Sequence, residues 1–254
     1  MKVTFLGTGT SQGVPVIACG CQVCTSSNPR DKRLRSSILI SDTPAGNIVI
    51  DTTPDFRYQM LRVGLKHLEA VLITHSHKDH IAGMDDIRAF NYFQQRAIDI
   101  YATEFTQQII RNEFSYAFAE QKYPGIPELN LRTIGTAPFN VNGLDIIPIN
   151  VMHHRMPVLG FRFNDFTYIT DANFIAEEEK QKIRGSKVLV LNTLRKEKHI
   201  SHFTLDEAIA IGRELEIPQV YFTHISHQLG LHEEVSAELP AGMALAYDGL
   251  EVVL

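Results

Sequence analysis

Long apolar runs are missing from this sequence. None approaches the roughly 18 residues of a membrane-spanning helix, so no helical membrane span is expected. Between Met1-Lys2 and the Gly7-Thr-Gly9 turn only residues 3–6 intervene. That is too short for the apolar region of a secretory signal, and a cytoplasmic location is the expectation. A basic surplus is also missing: 24 Lys and Arg stand against 29 Asp and Glu, a net charge of -5. No global attraction to nucleic acid or to an anionic membrane follows from that balance. Cysteine is scarce, with 3 residues in 254, all within 19–24. An internal disulfide would leave one over, and in a reducing compartment the thiols stay free. Repeats, low-complexity tracts and long linkers are absent too, so residues 1–254 read as one domain. Gly7-x-Gly9-x-x-x-Gly13 departs from the Gly-x-Gly-x-x-Gly spacing of a dinucleotide loop, and no capped helix follows it.

What is present is ordinary globular composition, 44% hydrophobic and 21% charged, arranged as alternating strands and helices. Short β-branched runs bounded by Gly, Pro, Asn or Asp predict strands at 3–6, 37–41, 47–51, 70–74, 99–102, 144–150, 160–164, 166–170, 188–192, 219–223, 243–247 and 250–253. Helices are predicted over 54–63, 103–119, 176–184, 204–215 and 231–238. Thr204 with Glu207 fits a capping box before an apolar run. The pattern implies an α/β (αββα) architecture, two sheets packed face to face with helices outside.

The chemistry is concentrated in Leu72-Ile-Thr-His-Ser-His-Lys-Asp-His-Ile-Ala-Gly83, which follows an apolar strand. His75, His77, Asp79 and His80 fall within six positions. On an extended segment His75 and His77 point the same way and can chelate one ion. Asp79 and His80, past the strand end, can reach a second. A polar surface loop is the bland alternative, but imidazoles this dense are hard to explain without a metal.

This His-x-His-x-Asp-His motif after a strand closely resembles that of the metallo-β-lactamase superfamily. The resemblance implies further ligands in order downstream, and the sequence offers each. They are a His from Val151-Met-His-His-Arg155, the Asp of Tyr168-Ile-Thr-Asp171 and the His of Tyr221-Phe-Thr-His224. By family pattern His75, His77 and His154 bind one divalent ion, Asp79, His80 and His224 another, and Asp171 bridges them. The family's spacing to Gly160 favours His154 over His153, leaving His153 structural. Two such ions, Zn or Mn, would share a bridging hydroxide. They would leave the site cationic, which suits a small anionic phosphodiester.

Three segments resemble the PhnP-type cyclic phosphodiesterases of phosphonate breakdown, which hydrolyse phosphoribosyl cyclic phosphate. They are "LGTGTSQGVPVIACGCQVC", "LITHSHKDHIAG" and "FTHISHQLG". The likeness implies a metal-dependent phosphoric diester hydrolase with Asp79 and His202 as catalytic groups, His202 donating a proton to the leaving oxygen. His199 competes for that role. It also implies a structural zinc on Cys19, Cys21, Cys24 and His227, and leaves a homodimer open. Arg155 and Arg195 are further candidates for holding a phosphate oxygen. Phe90-Asn-Tyr-Phe93 and the 103–119 helix are candidate pocket walls, although aromatics there more often fill the core. An esterase, lactonase, thioesterase or RNA-processing phosphodiesterase remains open from the ligands. The lack of a basic surplus counts against RNA.

Overall fold

The computed structural model describes residues 1–121 and 123–254. Its strands are β1 (Lys2–Gly7), β2 (Ser37–Ser41), β3 (Ile48–Ile50), β4 (Ala70–Leu72), β5 (Ile98–Ala102), β6 (Leu129–Thr133) and β7 (Phe139–Val141). Then follow β8 (Leu144–His153), β9 (Met156–Phe163), β10 (Phe166–Ile169), β11 (Phe174–Ile175), β12 (Val188–Asn192), β13 (Gln219–Thr223), β14 (Met243–Leu245) and β15 (Glu251–Val253). One sheet runs β15-β1-β2-β3-β4-β5-β6, and the other runs β11-β8-β9-β10-β12-β13-β14 with β7 on β8. In each sheet one half pairs antiparallel and the other parallel. Parallel strands are covered on both faces and read as unbroken apolar runs, as Val188-Leu-Val-Leu191 does.

Three apolar layers follow from the period of two along each strand. Between the sheets lie Val3, Phe5, Ile38 and Ile40 from one and Phe161, Phe163, Phe166 and Tyr168 from the other. Outside the first sheet Leu39, Val49 and Val71 pack on Phe56, Met60, Ile87 and Ile110. Outside the second, Leu189, Leu191 and Phe222 pack on Ile183, Leu205 and Ala208. The expected αββα sandwich is therefore the fold. Among the described residues no helix is long and apolar enough to cross a membrane.

Several predicted bounds shift. The helix expected over 103–119 is Glu104–Glu113, capped by Thr103, followed by a 3-10 turn over Ser115–Phe118. Phe114 leaves helical geometry, with φ -113° and ψ 40°, and its ring is buried. Core packing thus overrides a run of Asn, Phe and Ser that favours helix only weakly. The helix expected to begin at Ile81 instead spans Lys78–Ile81, and helix Arg88–Gln94 and strand β6 lie where no helix or strand was predicted.

The short helix Lys78–Ile81 is sewn to the segment after β3. The Thr52 amide donates to the His80 carbonyl (2.8 Å) and the Gly83 amide to the Thr52 carbonyl (2.9 Å). Gly83 is needed for closeness rather than for backbone freedom. A Cβ there would overlap the Thr53 carbonyl and stand 2.6 Å from Phe56 Cβ. Gly83→Ala is expected to cost about 1–3 kcal/mol in chemical denaturation, the usual range for overpacking. Gly20→Ala, with no atom within 4 Å of the added carbon, should leave the midpoint unchanged.

Candidate metal centre

The ends of five strands meet at one edge of the sandwich. Asp51 follows β3, His75 follows β4, His153 ends β8, Asp171 follows β10 and His224 follows β13. Asp51, Asp171 and His224 adopt left-handed backbone, with φ of 67°, 54° and 57°. Such geometry costs an L-residue about 1–2 kcal/mol, although Asp and His tolerate it better than most. Its recurrence at three strand ends marks a place where the fold accepts strain to aim side chains.

Two sets of donor atoms result, each with its atoms within 4.8 Å of one another: His75, His77 and His153, and Asp79, His80, Asp171 and His224. The sets adjoin, with the His75 and His80 rings 4.1 Å apart between centroids. Asp171 also lies within ligand range of His153 and His202. Asp171 Oδ2 stands 3.2 Å from His80 Nε2 and 3.1 Å from His224 Nδ1.

His154 is not in this cluster, contrary to the sequence expectation. β8 and β9 pair through His153 and Met156, so His154 and Arg155 form a two-residue turn. His154 takes φ 57° there, is exposed, and its amide donates to Asn173 Oδ1 at 2.7 Å. His153 belongs to the strand and shares the buried face of Ile149 and Val151. A shift of one residue on a strand reverses the side chain's direction, and pairing register outranks the spacing to Gly160.

Second contacts fix the rings. His153 Nδ1 donates to the Ser201 carbonyl (2.8 Å), which turns Nε2 toward His77. His80 Nδ1 donates to Asp51 Oδ2 at 2.7 Å, and Asp51 also accepts from the Thr74 amide and hydroxyl (2.8 and 2.9 Å). A ring nitrogen held this way presents the other to a metal. Asp51 is absent from the sequence reading. Its signal was an acidic residue ending the buried strand Ile48-Val-Ile50, the same signal that selected Asp171.

Burial pushes the His75 pKa well below its ordinary value, and the neighbouring His80 adds to that. Burial acts the same way on His80, but Asp79, Asp51 and Asp171 outweigh it and raise its pKa well above normal. Asp171 moves well down despite burial, because His224 and His80 stabilise its charge. The buried His75 Nε2 and His80 Nε2 lack a hydrogen-bond partner among the described residues. Carboxylate oxygens of Asp79 and Asp171 lie 3.2 Å from His80 Nε2, yet off its bonding direction. Buried nitrogens left open beside carboxylates fit a cation and are costly without one.

His202 is buried against the same group. Its ring is 4.6 Å from His153 and 4.9 Å from His224, and its unpartnered Nδ1 is 3.9 Å from Asp171 Oδ1. Burial, followed by His224, holds its pKa down at about 3. His199 is only half-buried and hydrogen-bonds with Ser201 (3.3 Å), not with the cluster.

Elsewhere the three thiols and His227 converge as the resemblance implied. Cys19, Cys21 and Cys24 Sγ lie 3.4, 3.3 and 3.6 Å from His227 Nδ1. One ion with ligand bonds of about 2.0–2.3 Å spans such separations. The Cys24 amide, then the His227 ring, pulls the Cys21 thiol down to about 6.

Residues 46–225 match the family model for the beta-lactamase superfamily domain, and the chain belongs to the metallo-β-lactamase superfamily of hydrolases. Within it the chain stands close to the PhnP type. A diphosphatase of the PhnP family, known from a crystal structure, is 39% identical with a TM-score of 0.92, covering 100% of this chain and 97% of that one. Zn²⁺-bound PqqB from Methylobacterium extorquens superimposes with a TM-score of 0.80 at 21% identity over the full length of both chains, a likeness of fold. An octanoyltransferase of Porphyromonas gingivalis is 38% identical over 100% of this chain and 52% of its own length. The chain thus spans about half the length of that curated relative. The fold implies a divalent metal, and the donor set described above fits one.

His153→Ala and His154→Ala separate the two histidines by elemental analysis of the purified protein. The first should lose metal from the three-histidine set, while the second keeps the full complement. The reverse result would restore the spacing argument.

Proposed function

We propose that the chain is a dinuclear metal-dependent phosphodiesterase acting on a small cyclic or linear phosphodiester. The observation that carries this reading is the convergence of two adjoining donor sets with open, buried imidazole nitrogens. His75, His77 and His153 would hold one divalent ion, Zn or Mn, and Asp79, His80 and His224 the other, with Asp171 beside both. Ions held there would supply an activated water at neutral pH and neutralise charge on phosphoryl oxygens.

The protein's own groups then divide the remaining work. Asp79 stays ionised because His80 outweighs its burial, which suits it to hold an ion. His202 Nδ1 faces Asp171 and has no other partner among the described residues, so it can turn to a leaving oxygen. Negative charge arriving with a phosphodiester raises its pKa toward the range of a proton donor. Arg155 makes no hydrogen bond or ion pair among the described residues and borders the cavity beside His77. Arg195 is committed to Gln228 Oε1 and to the Glu197 and Lys198 carbonyls. Arg155 is therefore the guanidinium free for a phosphate oxygen.

The likeness to a PhnP-family diphosphatase supports phosphorus rather than carbonyl chemistry. The octanoyltransferase is about twice as long as this chain, and acyl transfer is a competing arm of the test. With Mn²⁺ or Zn²⁺ supplied, bis(p-nitrophenyl) phosphate should turn over. Thioester or lactone hydrolysis without diester hydrolysis would overturn the proposal. His202→Ala should slow diesters with poor leaving groups more than the p-nitrophenyl ester, whose leaving group needs little protonation. Equal losses on both would remove the donor role.

We place a separate structural zinc on Cys19, Cys21, Cys24 and His227, a closed tetrahedral set, in a cytoplasm that keeps the thiols reduced. Cys21→Ser should lose one zinc and thermal stability while the other ions stay bound. Unchanged zinc content would refute that site.

A further inference from the structure

A cavity of about 870 Å³ opens on the His75, His77 and His153 side of the cluster. A lone phosphate, or the cyclic phosphate of a simple sugar, leaves most of such a volume empty; cavities of this size hold drug-sized ligands. Its walls come from both layers of the fold. From the first, the helix Glu104–Glu113 contributes Phe105 and Thr106. From the second come Met156 at the start of β9 and Ile200 from the loop before the helix Leu205–Glu214.

Phe105 and Ile200 stand apart from the other apolar side chains of the wall. They are 61% and 66% exposed, although both line a cavity that ends on the donor cluster. Neither is loose. Phe105 sits in a helical first turn fixed by Thr103, whose hydroxyl accepts from the Thr106 amide at 3.2 Å. Ile200 is held at its carbonyl by Asn173 Nδ2 (3.2 Å), and the next carbonyl, of Ser201, takes the bond from His153 Nδ1 (2.8 Å). The chain carrying Ile200 is therefore tied to the same ring that completes the three-histidine set. Large apolar groups held rigidly in water beside a polar anchor gain most from a ligand that covers them.

We infer that this cavity is a subsite for a planar apolar ring, and that Phe105 and Ile200 select aryl- or nucleoside-bearing phosphate esters over small alkyl or sugar phosphates. This rests on the phosphodiesterase reading, which places the phosphorus at the donor cluster. The ring then lies between the two walls, in the cavity whose lining also includes Arg155, the guanidinium assigned to the phosphate.

The test is calorimetric binding of non-hydrolysable phosphonates to the metal-loaded protein. Phenyl- and 2-naphthylphosphonate should bind roughly tenfold or more tighter than methylphosphonate, the ratio expected from covering a ring-sized apolar area. In Phe105→Ala and Ile200→Ala that preference should fall severalfold, with methylphosphonate affinity and metal content unchanged. Equal binding of all three phosphonates, or a preference that survives both substitutions, overturns the subsite and leaves the phosphodiesterase reading standing. If no phosphonate binds the loaded protein, the phosphodiesterase reading fails and takes the subsite with it.

Discussion

The contact on which most of the centre depends is that between His80 Nδ1 and Asp51 Oδ2, 2.7 Å long and fully buried. Asp51 accepts from the imidazole, the Thr74 amide and the Thr74 hydroxyl. One carboxylate therefore sets two segments at once: the end of β4, from which His75 projects, and the short helix bearing His80. A buried charge is tolerable only when its lone pairs are met, and here each donor belongs to a segment that must be held. Burial still raises the Asp51 pKa while the aspartates raise that of His80. The pair keeps its proton between them, which leaves His80 Nε2 facing the donor set.

The same economy recurs across the edge of the sandwich. The parallel strands β3, β4 and β12 are buried on both faces, and β13 buries Val220 and Phe222 on one, so their positions are fixed by packing. Residues just past the strands can then take strained backbone without moving it. Asp51, Asp171 and His224 do so. The strain is offset by packing far from the centre, which is why a rigid apolar sandwich can carry so polar a rim.

Much of this was legible from sequence because it depends on local order. The His-x-His-x-Asp-His run, the Asp after a buried strand and the His after another are each short patterns with one geometric outcome. The αββα layering follows from apolar strands alternating with capped helices. The thiols and His227 were matched by family likeness, and they meet in space. What failed was decided by pairing. Ile149, Val151 and His153 alternate inward on β8, so period two pointed to His153, whereas the distance to Gly160 pointed to His154. Distance along a chain does not register which side of a hairpin a residue faces. Asp51 was passed over because its role lies in orienting another ligand, and that role has no motif of its own. Between Asp85 and Asn130 the helix expected over 103–119 stops at Glu113. Even so, the helix after Thr103 does wall the cavity, while Phe90 went to the core.

The centre is also stitched from the two ends of the chain. Thr10 donates through its amide to the Ile225 carbonyl (3.1 Å), and Ile225 returns the bond to Thr8 (2.9 Å). The thiols reach His227, and β1 pairs with β15. Each of these contacts closes a loop of more than 200 residues. Loop closure on that scale must precede the contacts that reward it, so such topologies fold slowly. On the ribosome the histidine run leaves the tunnel about 150 residues before its partner at 224. Through that interval an unfinished sheet and four exposed metal-binding side chains wait together. An interval of that kind leaves apolar surface and strand edges open, the condition under which chains of this size are prone to misassociate.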